Sequence, residues 1–176
     1  KNKNKLPKLV IVVHMAGLPC DMKKIFRLSK IYNFKIIEDA SHALGARYFR
    51  DLVGNCRYSD ATVFSFHPVK IITTGEGGII TTNNKKFANK CKLIRTHGIN
   101  KDKNHFLSKD PSPWHYEQIY LGLNYRMSDI SAALGISQLR KVEKFIKKRN
   151  IIAQKYNELL KDLPMQLPFQ NSNYYS

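Results

Sequence analysis

Phe64-Ser65-Phe66-His67-Pro68-Val69-Lys70, with Thr73-Thr74-Gly75-Glu76-Gly77-Gly78 close behind it, decides how this chain is read. The run Ala61–Phe66 is short, β-branched and aromatic, and predicts a strand. Gly78–Thr82 predicts another, announced by Gly75, Gly77 and Gly78. Between the two lies a polar loop carrying Lys70. Open α/β sheets collect their ligand-binding groups at such strand ends.

Working outward, Phe34–Ile37 reads as a buried strand ending at Glu38-Asp39, and Leu9–Val13 as a further buried strand. Asp21 is placed to cap a helix running to Tyr32, with Met22, Ile25, Phe26 and Leu28 at helical spacing. A second helix is predicted from Lys85 to Arg95. Strands separated by helix-length segments specify an α/β fold with a largely parallel sheet. From Ile99 to Tyr120 the pattern fails. Pro111, Pro113, Trp114 and Tyr116 fall there and suggest a long ordered loop. Loops of this length are often functional. Ser128 can cap a long helical segment whose apolar positions Ile130, Ala133, Leu134, Leu139, Val142, Phe145 and Ile146 recur every three or four residues. The pattern continues through Ile152, Tyr156 and Leu160 to Pro164, with room for a bend near Arg149-Asn150. The tail from Pro164 to Ser176 offers no closing element.

Thirty Lys and Arg stand against 13 Asp and Glu, a net charge of +17. A balance of this size favours anionic partners. The basic residues, 22 Lys and eight Arg, are spread along the chain and dense only at Lys1–Lys8 and Lys141–Arg149. The second run reads as one solvated helix face. A generally basic surface is therefore expected, not a nucleic-acid site, and an anionic substrate would gain from its field. Cys20, Cys56 and Cys91 are widely spaced and form no CxxC pair. They suggest neither zinc nor a disulfide framework, and fit a reducing cytoplasm. His14 interrupts the apolar run at Leu9–Val13 too soon for a signal core, and no run is long enough to span a bilayer.

Three polar clusters sit at predicted strand ends: Glu38 to Gly45, Ser65 to Lys70, and Thr73 to Gly78. Taken singly, each has a plain structural reading. A carboxylate ending a strand can be a helix cap, a lysine after a strand a surface residue, a serine a turn residue, and a glycine cluster a turn.

Taken together they resemble the sugar aminotransferases of pyridoxal-phosphate (PLP) fold type I, which aminate nucleotide-linked keto-sugars. The likeness runs from about Leu6 to Ser176. It includes His14-Met15-Ala16-Gly17-Leu18-Pro19, Arg95-Thr96-His97-Gly98-Ile99, and Gly122-Leu123-Asn124-Tyr125-Arg126-Met127 leading into Ala132-Ala133-Leu134-Gly135. It implies a large α/β domain, mostly parallel sheet flanked by helices, over residues 1–127. Connecting helix or helices would follow over 128–163, and a further domain would open over 164–176. It also implies PLP as cofactor. Lys70 matches the lysine that forms the Schiff base and shuttles the proton, a role that needs a deprotonated amine. Asp39 matches the carboxylate that keeps the pyridine nitrogen protonated, so that the ring acts as an electron sink. His42 matches the position against the ring face or its oxygen. Ser65 matches a hydroxyl donor to the phosphate, and Asn124 an asparagine that reaches the phosphate across a dimer interface. Arg126 could serve substrate or interface; His67 receives no task. No metal is implied, since His97, His105 and His115 show no metal spacing.

Thr96–Ile99, Pro113–Gln118 and Leu121–Met127 are similar to the transaminase branch of pseudaminic acid biosynthesis. That branch aminates C4 of a UDP-linked 4-keto-6-deoxy-N-acetyl hexose with glutamate as donor. A transaminase of another nucleotide amino-sugar pathway stays open beside it, as does an inactive remnant acting only as a basic binding module. A related dehydrating branch carries histidine in place of the lysine, and Lys70 argues against it. The implied protein is a cytoplasmic homodimer with no nucleic-acid or membrane partner. Family members are much longer than this chain, and Lys1 rather than Met opens it. A partial chain is therefore expected, without the Gly- and Thr-containing phosphate loop, the aromatic residue over the ring and most of the small domain. Alone it is expected to be a poor or inactive enzyme.

Overall fold

The computed structural model describes residues 5–102, 106–109, 112–169 and 174–175. The chain forms two compact units, Lys1–Asn83 with Asp129–Ser176, and Asn84–Ser128.

The first unit is built on a four-stranded sheet. Its strands are β1 (Leu9–Val13), β2 (Lys35–Asp39), β5 (Ala61–Ser65) and β6 (Gly78–Thr81), in the order β1-β2-β5-β6. β1, β2 and β5 are parallel, with Val13 beside Asp39 and Asp39 beside Val63; β6 returns antiparallel to β5. The helix α1 (Met22–Tyr32) makes the β1–β2 crossover. Its start is set by Asp21, whose carboxylate accepts the Lys24 N–H at 3.3 Å. Its end is set by Asn33 in the left-handed conformation that asparagine tolerates. Val12, Met22, Ile36 and Tyr48 are buried together, with Val10, Ile25 and Phe26 packed against them. Burying side chains of this size is worth about 1.5–3 kcal/mol each.

β1 departs from the buried strand expected. Val12 is buried, but Leu9, Ile11 and Val13 are exposed, Ile11 by 60%. Side chains alternate along a strand, and among the described residues only one face of β1 is covered. A hairpin of β3 (Arg47–Tyr48) and β4 (Asp51–Leu52) has no counterpart in the sequence reading. Its strands are two residues long, below what periodicity can register. The tail also closes as a strand: β9 (Tyr174–Tyr175) pairs antiparallel with β3, and the Tyr48 and Tyr174 rings lie 5.0 Å apart. The expectations for Asn173 and Ser176 lie outside the described residues.

The long helical segment is two helices, α3 (Asp129–Leu139) and α4 (Val142–Leu160). The interruption falls at Arg140-Lys141 rather than Arg149-Asn150. There the Lys141 N–H turns back to the Gln138 carbonyl at 2.9 Å, closing α3 with a tight turn. α4 runs unbroken past Arg149, and Asn150 Nδ2 donates to the Ile146 carbonyl at 3.0 Å. Neither Gly nor Pro marks the break, so spacing alone does not show it.

The second unit holds α2 (Lys85–Arg95), capped by the Asn84 carboxamide on the Phe87 N–H. It also holds a short antiparallel pair, β7 (Ile99–Asn100) and β8 (Glu117–Gln118). The segment expected to be a loop thus carries a strand pair. Glu117 organises it, accepting the N–H groups of Leu107 at 2.7 Å and Ser108 at 2.9 Å. His105 and Pro111 lie outside the described residues.

Candidate active site

The loop that carries Lys70 is pinned at one carbonyl. Phe66 O accepts both the Thr73 hydroxyl at 3.0 Å and the Thr74 N–H at 3.1 Å, while the Phe66 N–H donates to Gly77 O at 2.8 Å. The seven residues between are thereby drawn into a tight excursion, closed inside by the Lys70 N–H on His67 O at 3.0 Å. Gly78 is required by close approach. A Cβ there would stand 2.7 Å from the Phe64 carbonyl oxygen. The Gly-Glu-Gly-Gly turn therefore closes the loop that carries Lys70 against the end of β5.

A cavity of about 320 Å³ lies where the three parallel strands end. Ala16 and Gly17 line it from the turn after β1, His42 from the turn after β2, and Lys70 from the loop after β5. Arg149 and Ala153 of α4 line it from the helical layer. This is the place at which open α/β sheets bind ligands.

Asp39 closes β2, and its carboxylate accepts the Ser41 N–H at 3.0 Å. Hydrogen bonding from Ser41 holds its pKa below the ordinary value against the opposing effect of burial, and the charges of His42 and Lys70 pull the same way. The carboxylate is therefore held in its charged form, within electrostatic reach of His42 and Lys70, although Asp39 does not itself line the cavity. Such a donor set suits a group that presents a carbonyl to an amine and a ring nitrogen to a carboxylate. Ser65 ends β5, and its oxygen accepts the His67 N–H at 3.3 Å, leaving its own O–H to donate. Ser65 does not line the cavity. His67 is exposed, with Nε2 3.9 Å from Glu76.

Residues 2–174 match the sequence model of the DegT/DnrJ/EryC1/StrS aminotransferase family. The chain belongs to that family. Aminotransferases of the family are PLP-dependent. The chain is 46% identical over 156 residues to the uncharacterized protein MJ1066 of Methanocaldococcus jannaschii, covering 89% of this chain and 40% of that protein. It is 44% identical over 149 residues to UDP-4-amino-4,6-dideoxy-N-acetyl-beta-L-altrosamine transaminase of Campylobacter jejuni, covering 85% of this chain and 37% of that enzyme. Among solved structures it resembles Helicobacter pylori PseC, an aminotransferase involved in the biosynthesis of pseudoaminic acid. The TM-score is 0.81 and the identity 34%, over 93% of this chain and 42% of that one. The chain thus spans about two-fifths of the length of these proteins.

Within this member of the family, Asp39, His42, Ser65 and Lys70 all belong to the first unit, and Asn124 to the second. Asn124 is held by backbone bonding to the end of α2. It bridges Thr96, with Leu123 N–H on Ile94 O at 2.7 Å and Tyr125 N–H on Arg95 O at 3.0 Å. Arg126 beside it is exposed. Two features of the site escaped the sequence. Arg149 was read as part of a solvated face, yet it lines the cavity. His14 and Glu38 form a buried hydrogen-bonded pair, at 2.9 Å, next to the turn that carries Ala16 and Gly17. The signal for the second was available. Glu38 is in phase with Ile36 on a strand, so a buried face carries a carboxylate that needs a partner.

Among the described residues no group of three or more His, Cys, Asp or Glu could hold a metal ion. Nor is any described helix long and apolar enough to cross a membrane.

Proposed function

We propose that this protein is a PLP-dependent transaminase that converts a UDP-linked 4-keto-6-deoxy-N-acetyl hexose to its 4-amino sugar, with glutamate as amino donor. The observation that carries the reading is the cavity that Lys70 and His42 share at the strand ends; Asp39, at the end of β2, is held in its charged form within electrostatic reach of both. The names of the Campylobacter and Helicobacter relatives support the sugar. When bound, PLP supplies an electron sink. Lys70 would hold it covalently and then act as the base that takes and returns the proton at the substrate carbon. Asp39 would accept the proton-bearing ring nitrogen, and His42 would lie against the ring. Ser65 and Asn124 would donate to the phosphate, Asn124 from a second subunit of a cytoplasmic homodimer. Arg149, an exposed cation lining the same cavity, would meet an anionic group of a substrate.

The reading is tested by incubating the protein with PLP, reducing with borohydride and mapping the label by mass. Label concentrated on Lys70 and lost in Lys70→Ala supports it. Label scattered over surface lysines, with none concentrated on Lys70, removes it.

A further inference from the structure

At the start of the turn that carries Ala16 and Gly17, and on β2 beside it, are two buried titratable side chains to which the proposed chemistry gives no task. His14 is 0% exposed and Glu38 5%. His14 Nδ1 accepts the Cys20 backbone N–H at 3.2 Å. That bond fixes the tautomer: Nε2 carries the proton and donates it to Glu38 Oε2 at 2.9 Å. The other carboxylate oxygen accepts the hydroxyls of Ser59 and of Thr62, the latter at 2.9 Å. Burial pushes the Glu38 carboxyl up, but these hydrogen bonds outweigh it and hold its pKa below the ordinary value.

A buried polar pair is a poor way to fill a core, since apolar residues of similar volume are often as stable. Its geometry shows another use. The His14 ring spans from β2 to the far end of the turn that follows β1. The His14 backbone N–H meanwhile donates to the Asp39 carbonyl at 3.0 Å. The turn it closes contains Ala16 and Gly17, both on the cavity wall. Ala16 sits at φ +54°, a left-handed conformation that alanine holds only where surrounding contacts enforce it. Inside the turn only two backbone bonds help, Gly17 N–H to His14 O and Leu18 N–H to Met15 O, both 3.1 Å. Glu38 and Asp39 are adjacent on β2 and point to opposite faces. The same strand end therefore anchors the clamp and carries the carboxylate of the site.

We infer that the Glu38–His14 pair is the positioning element of the cofactor pocket: it clamps the turn from His14 to Cys20 onto β2, so that the Ala16–Gly17 wall and the Asp39 carboxylate keep one fixed arrangement. This rests on the reading that the cavity takes PLP. Neither residue touches the reacting atoms.

The test compares His14→Leu, His14→Asn and a control, Ile36→Val, which weakens the same strand in the core. Asparagine keeps an acceptor where Nδ1 lies. Three readouts are taken: hydrogen exchange of the Cys20 amide without cofactor, PLP affinity, and the visible circular dichroism per bound cofactor. For His14→Leu, exchange at Cys20 accelerates, affinity falls about tenfold, as for loss of a buried hydrogen-bond partner, and the dichroic band weakens. His14→Asn, which keeps the acceptor for Cys20 but loses the bond to Glu38, recovers the exchange at Cys20 in part but not the affinity or the dichroism, and Ile36→Val moves none. Wild-type affinity and dichroism in His14→Leu, or equal losses in Ile36→Val, would overturn the inference. If His14→Leu does not fold, His14→Gln replaces it, keeping the donor to Glu38 but not the acceptor for Cys20. Wild-type affinity and dichroism in both the Asn and Gln variants then overturn it. Borohydride label on wild-type Lys70 separates the two failures. Its absence removes the cofactor reading and this inference with it; its presence with unchanged variants removes this inference alone.

Discussion

At the scale of the residue, the site depends on carboxylates held in their charged form. Asp39→Asn keeps the shape and removes the charge that would face the ring nitrogen. The visible absorption band of the bound cofactor is expected to shift as the ring nitrogen loses its charged partner, with the borohydride label on Lys70 still formed. Glu38 and Asp39 both have folded-state pKa values below the ordinary carboxylate range. Their charged forms therefore favour the fold. That contribution is complete above about pH 5, beyond the unfolded-state values, and is lost as pH falls through the folded-state values. Glu38→Gln removes one of these linkages. Urea melts at pH 7 and pH 3 should show the variant losing less stability between the two than the parent. Tyr48 works in the opposite sense. Burial, then its hydrogen bond to Asp21 at 2.8 Å, pushes the phenol well above its ordinary value. Tyr48→Phe leaves the Lys23 amide without the acceptor it has at 3.3 Å. It should cost about 1 kcal/mol, read as a shift in the denaturant midpoint at neutral pH.

At the scale of the element, α4 matters more than its amphipathic pattern suggests. Ile146 is 2% exposed and packs onto Gly45, at the end of the turn that carries His42. Gly45 has φ +79°, and a Cβ there would run into Ile146 Cδ1. Gly45→Ala therefore meets both backbone strain and a steric clash. A loss of about 1–3 kcal/mol is expected, together with weaker PLP binding, because the His42 turn is displaced from α4. If thermal melting shows Gly45→Ala as stable as the parent, this packing does not hold the turn. The lengths of β1, α1, β2, β5 and α2 were legible because each presents five or more residues of clear pattern with a capping or breaking residue at its end. β3, β4, β7 and β9 were not, since two-residue strands are specified by the partner across the ladder. The Arg140-Lys141 break was hidden for a related reason. The apolar spacing continues through it, and only the backbone bond from Lys141 to Gln138 records it.

At the scale of the whole molecule, charge and apolar surface pull in different directions. The net charge of +17 keeps copies apart, while Leu9, Ile11 and Val13 expose one apolar face of an edge strand. Exposed apolar edges invite pairing with another chain. This chain is expected to associate more as salt screens its charge. Sedimentation at low and high salt checks this, and Ile11→Lys should reduce association without changing the far-ultraviolet spectrum.

Sequence by itself determined the α/β fold, and its likeness to the family put forward Asp39, His42, Ser65, Lys70 and Asn124 as candidates. The reason is physical: strand ends and turn glycines are local features written in consecutive residues, and so are the motifs that carry the likeness. Only the tertiary structure decided that Arg149, more than a hundred residues from His42, lines the same cavity, and that His14 and Glu38 meet. Those contacts depend on strand register and on how α4 packs against the turn that carries His42. Packing between elements sets both, and no local stretch of residues encodes them.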